Sequence, residues 1–200
     1  EIGAELKEQA GYTYTFEKWE SDTPELLADQ TNKNSEFTMP AGDLTLTAIG
    51  TKTARTDTEY VVEAYYQENG QYPETATSST KKYGTTDTIA EIQEIEKYPS
   101  ISGYVYDELN ENNVLTGTIA GDGSLVLKLY FKQQFTVKYK PGTHGTFTEQ
   151  TTSSLDYNST TPSFVGELTH EPGYEFTGWD REVKEKVKTN LEYTAQWETI

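Results

Sequence analysis

Alternating apolar and polar residues mark two similar segments near the two ends of the chain. Residues 11–19 read Gly-Tyr-Thr-Tyr-Thr-Phe-Glu-Lys-Trp, and residues 173–179 read Gly-Tyr-Glu-Phe-Thr-Gly-Trp. A second alternating run follows each of them, Leu-Thr-Leu-Thr-Ala at 44–48 and Leu-Glu-Tyr-Thr-Ala at 191–195. A period of two residues is typical of a strand with one buried face. The sequence therefore predicts an internal repeat in which each copy contains two strands.

The two copies differ at their beginnings. The second copy is preceded by a further alternating run at 135–140, which the turn Pro141-Gly142 closes. The first copy has no such run. Either it is incomplete at its N-terminus, or residues 1–10 take the place of that strand.

The tryptophan that ends the signature is expected to point into the core. Gly178 should bend its strand so that Trp179 turns inward, and Trp19 takes the equivalent place in the first copy. The contacts expected for Trp179 are Val137, Tyr139 or Tyr193.

The segment between the copies predicts different elements. Residues 60–66 are β-branched and aromatic, as in a strand, and Asn69-Gly70 is a strong signal for a hairpin turn. The returning strand is expected over residues 72–83. Further strands are expected at 103–106 and 125–131.

One short helix is expected in this middle segment. Thr88 and Glu91 have the spacing of a capping box, and isoleucine recurs at every third position from 89 to 95. Pro99 should end the helix, because proline lacks the backbone N–H that a helix interior needs.

These elements divide the chain into three modules, 1–54, 55–133 and 134–200. The polar, aperiodic stretch 50–57 is expected to be a linker, whereas strand should follow strand almost directly at 133–134. The predicted fold class is therefore mainly β, α+β at most, with small modules in tandem and one short helix in the middle module. All three modules are acidic, and repulsion between like charges favours an elongated array.

The composition excludes several classes of function. The 200 residues include 33 acidic and 16 basic side chains, which gives a net charge of −17. Such a chain lacks the positive surface that nucleic acids and anionic lipids require, so we expect neither as a partner. No run approaches the roughly 20 apolar residues of a membrane helix, so no membrane insertion is expected. Aromatic residues make up 12% of the chain, which favours folded modules over disorder. We expect an acidic monomer.

The chain carries no motif that indicates catalysis or metal binding, and its many carboxylates reflect only its acidity. It has no cysteine, which removes disulfides, thiolate nucleophiles and cysteine-ligated metals. His144 and His170 lie in predicted loops without further ligands at metal-binding spacing. The polar stretch 107–113 lacks the glycine and the closing glutamate of a calcium loop. We therefore expect no enzyme activity, no cofactor and no metal.

The chain contains one candidate pair for a covalent cross-link. Lys138 on the opening strand of the second copy and Asn190 near its closing strand form the only pair that we nominate for an intramolecular isopeptide bond. Charged side chains in strands normally face water, so we expect no such bond.

The aromatic residues have two interpretations. In a small module they fill a thin core, and this role is expected for the signature residues Trp19, Tyr174, Phe176, Trp179 and Trp197. On an exposed face they instead stack on sugars, which is the alternative for Tyr65, Tyr66 and Tyr72. Neighbours on a strand point to opposite faces. At least one of Tyr65 and Tyr66 should therefore face solvent or lie in a contact between modules.

The outer modules resemble the Listeria–Bacteroides repeat, also called the internalin B-repeat type. In the third module the resemblance rests on the Gly-Tyr-x-Phe-x-Gly-Trp signature at 173–179 and on Tyr-Thr-Ala-Gln-Trp at 193–197. In the first module it rests on the ending at 37–48, although Gly50 stands where the third module has Trp197.

The middle module resembles the mucin-binding repeat of the MucBP type. The matching residues are Val-Leu-Thr-Gly-Thr-Ile at 114–119 and Gly-Asp-Gly-Ser-Leu-Val-Leu at 121–127. Both resemblances imply small β-grasp-like modules strung along secreted or cell-wall-anchored proteins of mainly Gram-positive bacteria.

Together the residues and the resemblances favour a non-enzymatic function. The expected function is that of a spacer or adhesin stalk in a bacterial cell-surface protein, located outside the cell. The alternative is a module that binds a host or bacterial surface glycan or protein, with its site on the middle domain.

Overall fold

The chain is built almost entirely from β-strands. A computed structural model describes residues 2–3 and 7–200, of which none forms a helix of seven or more residues, and its sheets are open. The predicted mainly β fold is confirmed. Among the described residues, no helix has the length and apolar character needed to cross a membrane.

The described strands are β1 (Ile2–Gly3), β2 (Tyr12–Ser21), β3 (Asn34–Ser35), β4 (Leu46–Ala54), β5 (Thr58–Tyr66), β6 (Ser78–Gly84), β7 (Ile89–Glu91), β8 (Tyr104–Tyr106), β9 (Thr116–Thr118), β10 (Val126–Lys140), β11 (Gln150–Asp156), β12 (Tyr174–Trp179) and β13 (Leu191–Thr199). Two short 3₁₀ helices cover Pro24–Leu26 and Glu94–Lys97.

The chain folds into two compact units, each built from three segments. The first unit contains Glu1–Val62, Thr80–Glu91 and Thr116–Leu127. The second contains Glu63–Ser79, Ile92–Leu115 and Lys128–Ile200. Both units draw on the middle of the sequence. The division into modules at residues 54 and 133 stays a prediction.

Strand β10 organises the second unit. It pairs in parallel with β13 and in antiparallel fashion with β8 and β11, while β12 pairs with the other side of β13. The join expected near residues 133–134 lies inside this uninterrupted strand. The second copy of the internal repeat lies in the predicted third module, and we call it the third repeat; its buried core contains Val137, Tyr139, Val187 and Tyr193.

In the first unit, β2 and β4 form an antiparallel pair with a core around Trp19 and Leu27. The linker predicted at 50–57 is wrong over its first half, because β4 continues to Ala54 and stays paired with β2 throughout. Residues 50–54 lack an apolar pattern because this part of the strand pair is exposed, and polar threonines are tolerated there. The short strand β1 pairs with β3.

The hairpin predicted at Asn69-Gly70 is confirmed. Both residues have positive φ, 49° and 80°, which is the requirement of a type I′ turn. Glu68 and Gln71 close the turn with two backbone hydrogen bonds. The returning strand β6 begins at residue 78 rather than 72. Pro73 lies in the intervening stretch and has no N–H to donate to a ladder.

The short helix expected in the middle segment is present only as the 3₁₀ helix Glu94–Lys97, and its predicted start at Thr88 is wrong. Ile89 begins β7, which pairs with β9, and Ile89 and Ile95 are 66% and 75% exposed. A capping box does occur, but it lies five residues later, between Gln93 and Glu96, and starts only the 3₁₀ helix. The β-branched isoleucines and threonines of this stretch favour strands, and the ladder with β9 satisfies their backbone groups.

Candidate functional site

The signature of the third repeat forms a bulged strand pair. Phe176 lies opposite Trp197 and Trp179 lies opposite Ala195, and the register shifts by one residue between Phe176 and Gly178. Gly178 has φ of 142°, which side chains other than glycine rarely adopt. The bulge therefore lies at Gly178, where the sequence predicts a bend.

The first repeat has the same register. Phe16 lies opposite Gly50 and Trp19 opposite Ala48, with the shift between Phe16 and Lys18. The two tryptophans are thus equivalent in structure as well as in sequence. A Cβ atom on Gly50 would lie 2.7 Å from the Thr15 carbonyl oxygen, so no side chain fits there without a backbone shift.

Trp179 is half-buried within an aromatic cluster. Its ring centroid lies 4.7 Å from that of Tyr139, 5.4 Å from Phe176 and 5.8 Å from Phe164. Trp179 thus packs against the core cluster that contains its three expected contacts, and its direct ring contact there is with Tyr139. Trp19 is 7% exposed and contacts Phe16 at 5.6 Å between ring centroids.

The other two signature aromatics are also half-buried. Trp197 contacts Phe176, and its indole N–H donates to the Pro141 carbonyl at 2.6 Å. Tyr174 stacks on His144 with ring centroids 3.7 Å apart. Both residues therefore have partners within their own repeat.

The two histidines lie beside these aromatic residues. The Nδ1 atom of His144 lies 2.9 Å from a Glu171 carboxylate oxygen, and His170 is 5.2 Å from Trp197 between ring centroids. Within residues 2–3 and 7–200, no group of three or more potential ligands is arranged to hold a metal ion.

Tyr65 and Tyr66 are both buried, with exposures of 6% and 5%. Neither residue faces solvent, so the solvent-facing alternative is wrong, and a contact between modules stays a prediction. Tyr65 stacks on Tyr130 at 4.6 Å, and Tyr66 stacks on Phe131 at 4.8 Å between ring centroids. Strand alternation still holds here, but both faces of this strand are covered by other aromatic residues.

Tyr72 is half-buried and also has internal partners. Its hydroxyl donates to Asp107 at 2.7 Å, and its ring meets Tyr130 edge to face. A ligand-binding role for the three tyrosines stays a prediction.

The raised pKa values of two tyrosine hydroxyls, in the buried Tyr65 and the half-buried Tyr72, lead us to expect a loss of stability at alkaline pH. Two main causes raise the pKa of Tyr65 to about 12 from its ordinary 10.0. The larger is the hydrogen bond that Tyr65 donates to Glu63, and the smaller is desolvation. The pKa of Tyr72 is also raised, mainly by burial and to a smaller extent by the hydrogen bond to Asp107. Above pH 10 the unfolded chain releases protons that the folded chain keeps, so the free energy of unfolding should fall as the pH rises towards 12.

Thermal melts between pH 9 and 12 check this expectation. A Tyr65→Phe, Tyr72→Phe double variant should lose stability less steeply with pH, whereas the exposed Tyr83→Phe serves as control. Equal slopes for the double variant and the native chain would contradict the assignment.

The nominated isopeptide pair has other partners. The Lys138 ammonium lies 3.6 Å from Glu149, and the Asn190 side-chain oxygen accepts a hydrogen bond from the Thr136 N–H at 2.9 Å. Each side chain is thus engaged by a neighbour within the third repeat.

Sequence reasoning missed a groove in the third repeat, which we call the lysine groove. It has a volume of about 420 Å³ and is lined by Asn158, Lys184, Glu185, Lys186, Lys188, Thr189 and Leu191. The available signal was three lysines at alternate positions in an acidic chain.

Both outer segments match the model of one known family. Residues 9–53 and 135–200, more than half of the chain, match the model of a divergent InlB B-repeat domain. The chain has no match among curated proteins.

Proposed function

The chain belongs to the divergent InlB B-repeat family, and we propose that it acts as a non-enzymatic spacer in an adhesin stalk. Members of this family are surface-protein repeat domains and are typically non-catalytic, so the chain is a repeat domain of an extracellular surface protein. Anchoring to the cell wall of a Gram-positive bacterium is part of the proposal. The resemblance of the middle module to MucBP repeats stays a prediction.

The observation that carries the proposal is the close packing between neighbouring modules inside each unit. A spacer must hold its parts at fixed distances, which flexible Gly- and Ser-rich linkers do not do. In this chain, the middle segment instead packs against the first repeat at Gly121 and against the third repeat at Gly70. At both glycines a side chain would clash with the neighbouring segment.

In the first unit, the start of the first repeat packs against the middle segment. The Thr86 hydroxyl donates to the Gly11 carbonyl at 2.8 Å, and the Tyr12 hydroxyl donates to Asp87. A Cβ atom on Gly121 would lie 2.0 Å from the Ala10 carbonyl oxygen, so the two backbones touch there.

In the second unit, the middle hairpin packs against the third repeat. A Cβ atom on Gly70 would lie 2.6 Å from the Tyr157 ring, and Lys132 forms an ion pair with Asp156 at 2.8 Å. Strand β10 also runs without interruption from the middle segment into the third repeat.

A pair of spin labels in the second unit tests the proposal. The chain has no cysteine, so labels attach only where cysteines are introduced. Glu74→Cys with Glu182→Cys spans the middle segment and the third repeat, whereas Thr151→Cys with Glu182→Cys lies within the third repeat. A spacer should give equally narrow distance distributions for both pairs in pulsed electron resonance. A much broader distribution for the first pair would contradict the proposal.

The contact at Gly121 gives a further prediction. Gly121→Ala should lower the free energy of unfolding of the first unit by about 1–3 kcal/mol, because the added methyl overpacks a backbone contact. Gly42→Ala is the matched control, since a Cβ atom there meets nothing within 4 Å. Urea unfolding measures both variants, and equal stability of the two would argue against the contact.

A further inference from the structure

The lysine groove is held in place by the core of the third repeat. Val187 is fully buried, and its backbone N–H donates to Ser159 while its carbonyl accepts from the Asn158 N–H, at 2.9 and 2.6 Å. The Lys184 N–H donates to the hydroxyl of the buried Tyr193 at 3.0 Å. The groove therefore rests on a fixed backbone.

The charges of the groove differ from those of the rest of the chain. Acidic residues outnumber basic ones by 33 to 16, and nearby Lys132 and Lys140 each have a carboxylate partner within 3 Å. Among the described residues, the ammonium groups of the three groove lysines have no carboxylate partner.

Within the part of the chain that the structure describes, the one polar contact of these ammonium groups is that of Lys186 with the Thr160 hydroxyl at 3.2 Å. Glu185 is the single carboxylate in the lining, so the groove itself carries two net positive charges. In a chain with such an excess of acid, unpaired lysines around one cavity are available to an external anion.

We propose that the lysine groove binds an acidic saccharide, a sugar that carries a carboxylate. The ammonium groups would form charge-assisted hydrogen bonds with the carboxylate. The Asn158 amide and the Thr189 hydroxyl can donate to or accept from sugar hydroxyls. Leu191 supplies an apolar surface for the sugar ring, and 420 Å³ lies within the usual range of small-molecule sites.

The acidity of the whole chain narrows the ligand class. A dense polyanion such as a nucleic acid would be repelled by a net charge of −17, whereas a short saccharide that reaches only the groove meets little of that field. The ligand is therefore expected to be a short acidic saccharide that binds more weakly at high salt.

Nuclear magnetic resonance titration tests the proposal with a matched pair of ligands. Trigalacturonic acid and its full methyl ester differ in charge but share the same sugar framework. The acid should shift the amide signals of Asn158 and of residues 184–191, and the ester should bind at least tenfold more weakly. The variant Lys184→Gln, Lys186→Gln, Lys188→Gln should reduce binding of the acid by a similar factor.

The control removes three lysines elsewhere, as Lys18→Gln, Lys81→Gln, Lys97→Gln, and should bind like the native chain. Equal binding of acid and ester, native binding by the groove variant, or an absence of shifts would each overturn the proposal. Sodium sulfate that produced the same shifts at the same concentration would reduce the groove to a general anion site and would also overturn it.

Discussion

Replacing Trp179 by alanine is expected to lower the free energy of unfolding of the second unit by about 3 kcal/mol. This is the lower end of the range for tryptophan truncation, because the side chain is half-buried rather than fully enclosed. The change removes the ring that joins Tyr139, Phe164 and Phe176 and leaves a cavity among them. For a small domain this is a large share of its stability.

Hydrogen exchange of β12 and β13 and urea unfolding measure the effect. Val165→Ala, at a side chain 75% exposed in the same unit, is the control and should change the stability by less than about 0.5 kcal/mol. If Trp179 is instead a platform for sugars, the alanine variant will melt like the native chain and lose glycan binding. That outcome would contradict the structural role of the signature.

The first repeat offers an independent copy of this test. Trp19 contacts Phe16, and its indole N–H donates to the Asn32 carbonyl at 3.2 Å. Trp19→Ala should therefore destabilise β2 and β4 in the first unit and leave exchange in β12 and β13 unchanged. If both tryptophans have the same structural role, each alanine variant should destabilise the strand pair of its own copy.

The strand pairs could be predicted from the sequence because their signals are local. A two-residue period, a glycine near the bulge and an Asn-Gly turn each depend on a few neighbouring residues. The equivalence of Trp19 and Trp179 follows from the same signals, and the register of both strand pairs bears it out.

Other features depended on partners distant in sequence. Ile89 has a helical pattern with its neighbours, but it pairs with Thr118 of β9, a residue distant in the sequence. Residues 50–54 have the local composition of a linker, and only their pairing with the distant strand β2 makes them a strand. The lysine groove depends on Asn158 meeting residues 184–191, and no sequence period connects the two.

In the middle segment, Tyr66→Ala is expected to lower the free energy of unfolding by about 3–5 kcal/mol, the usual loss for a large buried aromatic residue. The ring is 5% exposed, stacks on Phe131 and meets Tyr104 edge to face at 5.0 Å. Its hydroxyl accepts a hydrogen bond from the Ser100 N–H at 3.2 Å. Tyr66→Phe keeps the ring and loses that bond together with the hydroxyl's contact to Ser100 Oγ at 3.2 Å, so it should cost about 1–2 kcal/mol.

Tyr83→Ala is the control for this series, because Tyr83 is 63% exposed and should change the stability by less than about 0.5 kcal/mol. Urea unfolding of the three variants should give the order Tyr66→Ala, Tyr66→Phe, Tyr83→Ala from least to most stable. The binding alternative predicts a different result, in which Tyr66→Ala unfolds like the native chain but loses retention on an immobilised glycan array. The stacked position of Tyr66 on Phe131 favours the first result, since a ring that already packs on another cannot also present that face to a sugar.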